Sequence, residues 1–177
     1  DVSDPASPVL KNTATFEGTL ADSRLIEAKL HLVLATTPVL PASLTEQSLR
    51  NQELSKWIPD YQVARADGTV VRSGDMVGWQ DVFRPDYPDG YGIITVVTLD
   101  IEQPDVPFAA TSITADAGVV YASRDALYLT DTNYDYTNGA LREDTAIHKL
   151  AFTETGTAYR ASGLVPGRLL NQYSLGE

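Results

Sequence analysis

The 177-residue chain carries 24 Asp and Glu against 13 Lys and Arg, a formal net charge of -11 with an isoelectric point near 4.5, which repels nucleic acid and anionic membrane as main partners. Hydrophobic residues make up 43% at a mean hydropathy of -0.15, the texture of a globular protein, and no apolar run is long enough to span a bilayer. The absence of cysteine excludes disulfides, thiol catalysis and cysteine-bound metal together.

The chain opens on Asp1-Val2-Ser3-Asp4-Pro5-Ala6-Ser7-Pro8, and the same phrase returns as Asp100-Ile101-Glu102-Gln103-Pro104-Asp105-Val106-Pro107. Each copy is Asp, an aliphatic, two polar positions, Pro, two variable residues and Pro. Its prolines cannot donate to a ladder, so each copy reads as a turn between strands, and a phrase repeated at a distance is the mark of a repeat architecture. After the first copy come three short strand candidates, Leu10 to Phe16, Leu20 to Ile26 and Leu30 to Leu34, with a turn at Glu27-Ala28-Lys29.

From Thr37 to Gly92 the texture changes. Ser43-Leu44-Thr45-Glu46 has capping-box spacing and starts a helix that continues to about Lys56, before Pro59. Tyr61 to Val71 predicts a hairpin with Asp67-Gly68 at its tip. Ser73 to Gly92 reads as loop. It holds Trp79, Tyr87 and Tyr91 among Asp81, Asp86 and Asp89, aromatics that suit a ligand-binding face for sugar or protein. The same carboxylates would serve a glycosidase only at a defined separation with one pKa raised, which spacing in sequence does not establish.

Ile93 to Ile101 is apolar on both faces, as in a strand covered on two sides. Beyond the second copy the opening pattern returns, with Phe108 to Ile113, Val119 to Ala122 and Leu127 to Thr130. A polar loop from Asp131 to Asp144 then leads to a strand at Ala146 to Phe152, and Thr157 to Ser162 with Leu169 to Leu175 begin a third copy. Within the loop, Asp131, Asn133 and Asp135 form the opening of a calcium loop, where alternating oxygen ligands converge on one ion. The EF-hand pattern then stops, because Tyr136 stands at its glycine and Arg142 at its bidentate glutamate; an Asn/Asp turn accounts for the same residues. Calcium is the one cofactor this ligand set suggests.

The second unit is about fifty residues long, the size of one four-stranded propeller blade. The predicted fold is therefore all-β: a partial β-propeller of about two four-stranded blades plus the start of a third, with one short inserted helix. Blade 1 takes about 9–36 plus 93–101, the insertion about 37–92, blade 2 about 108–152, and the start of blade 3 about 157–177. A two-sheet sandwich is the rival arrangement of the same strands. Two blades and a fraction do not close a ring, so the chain reads as part of a larger propeller whose missing blades are partners. The insertion is the stretch expected to carry specificity, or else to cap one end of the ring. His31 and His148 both fall inside strands, and the plainer expectation is a satisfied strand residue at each.

Several stretches together carry a family resemblance. They are Val2 to Pro8, Asp22-Ser23-Arg24-Leu25-Ile26 with Lys29 to Val33, Asp89-Gly90-Tyr91-Gly92 before Thr95-Val96-Val97, and Val120-Tyr121-Ala122-Ser123 with Leu127-Tyr128-Leu129. Thr145 to Lys149 and Ala161-Ser162-Gly163-Leu164-Val165-Pro166-Gly167 with Leu170-Asn171-Gln172 belong with them. In these the chain resembles bacterial and archaeal secreted proteins with a C-terminal β-propeller distantly related to Trp-Asp repeats. The resemblance spans nearly everything except Thr37 to about Val82. It implies a propeller and a secreted or cell-surface location, and it carries no activity onto particular residues. The function expected is a non-catalytic, extracytoplasmic scaffold that binds protein or carbohydrate at the cell surface. A hydrolase acting on polysaccharide or another surface polymer, and a calcium-stabilised structural module, are the alternatives.

Overall fold

The structure is a computed structural model that describes residues 1–86, 90–116, 118–137 and 140–176. The strands are β1 (Asn12–Phe16), β2 (Thr19–Ile26), β3 (Lys29–Thr36), β4 (Asp60–Arg65), β5 (Val70–Asp75), β6 (Val82–Phe83), β7 (Ile93–Asp100), β8 (Ala109–Thr114), β9 (Val120–Ala122), β10 (Ala126–Thr137), β11 (Ala140–Phe152) and β12 (Thr157–Pro166). One short helix, α1 (Glu46–Arg50), lies between β3 and β4. Among the described residues no helix is long and apolar enough to cross a membrane.

The strands form three sheets, in the orders β2-β3-β7-β8-β6, β12-β11-β10-β9 and β1-β4-β5. In the first, β2, β3, β7 and β8 are consecutive antiparallel neighbours, and β9 to β12 repeat that meander in the second. The sheets are offset by one strand from the units read in the sequence. The strand after the second phrase, β8, pairs with β7 from Ile93↔Thr114 to Thr98↔Ala109, closing the first sheet and not opening the second. Thr157–Pro166 in the same way closes the second sheet against β11, and Leu169 to Leu175 is not a strand but contains a single 3-10 turn, Gln172–Ser174. The reason is that a tight phrase loop brings its two flanking strands together as a hairpin, so the sequence repeat begins one strand before the sheet ends.

A smaller buried cluster around Leu34, Met76 and Val97 joins the insertion to the first sheet, while the larger one comes from the two four-stranded meanders. Val33, Ile94, Val96 and Ile113 of one meet Val120, Leu127, Leu129 and Leu150 of the other, each large aliphatic stabilising by about 1.5–3 kcal/mol on burial. The sheets approach closely at Gly156, where a Cβ would lie 2.8 Å from that of Ala109, and Thr111 Oγ1 donates to the Thr157 carbonyl at 2.8 Å across the same seam.

The insertion feeds two sheets. Its hairpin β4–β5 pairs with β1 through Asn12↔Arg65 to Phe16↔Tyr61, and β6 adds in parallel to β8. Phe108 sits edge-on to both Phe16 and Tyr61, at 5.1 and 4.6 Å between ring centres, which fixes the three-stranded sheet against the first. The helix is shorter than the sequence suggests and starts elsewhere. Ser48 N–H donates to Thr45 Oγ1 at 3.1 Å and Thr45 N–H donates to Ser48 Oγ at 3.0 Å, so the capping box is Thr45-Ser48 and not Ser43-Glu46. No residue of α1 is buried, and without an apolar face to pack it ends after five residues.

Candidate functional site

The two copies of the phrase fold alike. Asp1 Oδ1 accepts from Ser3 N–H at 3.0 Å, and Asp100 Oδ1 accepts from Glu102 N–H at 2.9 Å. Ser7 N–H donates to the Asp4 carbonyl at 3.1 Å, and Val106 N–H donates to that of Gln103 at 3.0 Å. In each copy the leading Asp caps its own turn and the Pro in the middle sets the next one. Asp100 is also held by Lys29 at 2.7 Å, and that ammonium, with the turn N–H groups, keeps its carboxyl below the ordinary carboxylate range.

Both copies line one groove of about 1470 Å³, facing the three-stranded sheet. Val2 of the first copy stands around it with Val9 and Leu10 just after that copy, and Ile101 and Val106 from the second. All five remain 50 to 74% exposed. The opposing wall supplies Val63, Arg65, Asp67 and Arg72. Thr69 N–H donates to Asp67 Oδ1 at 2.9 Å, and this bond holds that carboxyl low. An aliphatic rim with fixed charges beside it can desolvate an apolar partner and orient it.

Of the stretch Asp131 to Asp144, expected as a loop, the described residues 131–137 and 140–144 instead belong to an antiparallel ladder. It runs from Asp131↔Ala146 to Thr137↔Ala140. Period-two alternation puts the side chains of Asp131 and Asn133 on one face, by strand geometry rather than by the winding of a calcium loop. The opposite face carries Tyr134, Tyr136 and Leu141, all exposed, with Tyr136 directly across from Leu141. Sequence reasoning missed this aromatic face. The signal was the β-favouring series Thr130, Thr132, Tyr134, Tyr136 at alternate positions, hidden by the turn-type residues between.

Of the aromatics expected to bind ligand, Trp79 lies in the 3-10 turn Trp79–Asp81 and Tyr91 just before β7; both are exposed. Neither makes a ring contact among the described residues, and Tyr87 lies outside them. Asp131 and Asn133 share a face of β10, while the side chain of Asp135 is outside the described set.

Both histidines are 1% exposed. His31 Nδ1 is 2.9 Å from Thr98 Oγ1 with its ring 4.5 Å from that of Phe152, joining the two sheets. His148 Nδ1 is 2.5 Å from Ser162 Oγ, which is itself 2.7 Å from the Tyr159 hydroxyl. Burial lowers both pKa values below 6.5, and the charge of Lys29 lowers that of His31 further.

A family model described as "Beta propeller domain" matches residues 1–177. No curated protein matches the chain, and no solved structure does.

Proposed function

Because the chain belongs to the β-propeller domain family, we propose that it is a non-catalytic, extracytoplasmic binding scaffold whose binding surface is the groove between the duplicated phrases and the inserted sheet. One observation carries this: five aliphatic side chains, in or directly after the two copies of the phrase, stand exposed around one groove. Contiguous exposed apolar surface with a polar rim marks a protein-interaction site. The partner is a polypeptide rather than a sugar, because the rim is aliphatic and, among the described residues, the exposed aromatics Trp79 and Tyr91 make no ring contact.

The repeat favours the remaining blades of the same protein as that polypeptide. β1 follows the first copy as β8 follows the second, and β8 is the fourth strand of a meander, whereas β1 has the inserted hairpin on one side and an unpaired edge among the described residues on the other. Such an edge is a template for another strand. A separate cell-surface protein is the second occupant the groove accommodates. The extracytoplasmic location rests on the family resemblance and is checked by fractionating producing cells.

The groove is tested with an apolar fluorescent dye such as bis-ANS. The folded chain should enhance its emission, and Ile101→Asp with Val106→Asp should remove most of the enhancement while leaving the melting temperature within a few degrees. Undiminished dye binding by the double variant would remove the groove from consideration.

A further inference from the structure

We propose that the near end of the β10–β11 hairpin holds a calcium ion between Asp131, Asn133 and Asp144. This goes beyond the groove and does not depend on it. Asn133 and Asp144 are direct ladder partners, so their side chains leave the same face with Cβ atoms about 4.5–5.5 Å apart. Asn133 Oδ1 and Asp144 Oδ1 are both fully buried, and neither has a hydrogen-bond partner among the described residues. Asp144 as a whole is only 8% exposed. Two acceptor oxygens, buried side by side with no donor, are a costly arrangement that calls for a donor or a cation.

The surrounding charges favour the cation. Asp131, buried and two positions before Asn133, adds a carboxylate to the same face; its Oδ2 already accepts from the Asp116 N–H at 3.2 Å, and carboxylate oxygens have further lone pairs to offer. Arg142 Nε pairs with Asp144 Oδ2 at 2.7 Å, which neutralises one of the two acids and leaves Oδ1 pointing elsewhere. The donor set is all oxygen, carboxylate and amide, with no nitrogen or sulfur, which suits calcium over transition metals. Among the described residues no three His, Asp or Glu side chains gather as a metal set; the third oxygen here is an amide, and water completes the shell. One net negative charge and an open shell place the affinity in the weak range of extracellular modules, about 10⁻⁴–10⁻³ M. Bound there, the ion ties the two strands together just where the hairpin begins to carry Tyr134, Tyr136 and Leu141.

The test uses the full 177-residue chain, stripped of metal, in thermal denaturation with about 5 mM calcium, several-fold above that range. The melting temperature should rise by about 3–6 °C and fall back on adding chelator. Asp144→Asn should abolish the shift, and Asn133→Asp should tighten calcium binding about tenfold by adding a charged ligand. Should a variant fold poorly, terbium luminescence displaced by calcium reads binding on the unaltered chain. No calcium shift, an equal shift with magnesium, or a shift that survives Asp144→Asn would overturn the proposal. The first of these would assign the two oxygens to a bridging water or to a hydrogen bond from the Asn133 amide.

Discussion

His31 and His148 are buried, bonded through Nδ1 to hydroxyls, and held below their ordinary pKa of 6.5 by burial. The folded chain keeps both neutral while the unfolded chain takes up protons. Their stabilisation is therefore complete above about pH 6.5 and is lost as pH falls through that value toward the folded pKa values. Melting temperature should decline between pH 7 and 5, and His148→Gln should flatten that decline; an unchanged slope in the variant would show that carboxylates alone set it. Asp100 gives a second residue-scale expectation. It accepts from two turn N–H groups and from Lys29, so Asp100→Ala should lower the midpoint of urea denaturation. Asp100→Asn, which keeps an acceptor for the turn, should cost less.

At the scale of elements, the core between the two meanders should dominate stability. Leu127 is fully buried among Val33, Ile94 and Ile113, and Leu127→Ala should cost about 2–5 kcal/mol. Leu170→Ala, at an exposed position after the last strand, should stay within about 0.5 kcal/mol. The contrast shows what the sequence could convey. Ile93 to Ile101 announced a doubly covered strand because every position but Asp100 is apolar or β-branched, and the Asp67-Gly68 tip announced its hairpin because the turn dipeptide is local chemistry. The grouping of strands into sheets was not legible, since a phrase repeated at the boundary marks the loop and not which sheet its flanks join. The hairpin from Asp131 to Asp144 was hidden for a different reason: Asp and Asn disfavour strands locally, and the long ladder β10–β11 overrides that preference. Asp144 escaped notice as a partner of Asn133 because only the register places them opposite each other.

For the whole molecule, two stacked four-stranded meanders supply a rigid frame, and the insertion builds a third sheet that walls off one groove. The aliphatic rim of that groove is the part of the surface hardest to reconcile with an isolated existence in water, since Val2, Val9, Leu10, Ile101 and Val106 gain nothing from their exposure. The binding account stands or falls there. Its most direct test is a photoreactive amino acid placed at Ile101 in the protein as the producing cell makes it, with Leu170, exposed but outside the groove, as the control position. One discrete polypeptide product should form from position 101, identified by mass spectrometry as another stretch of the same protein or as a single surface partner, and Val106→Asp should suppress it. Absence of any product at 101, or the same products from 101 and 170, would contradict the account.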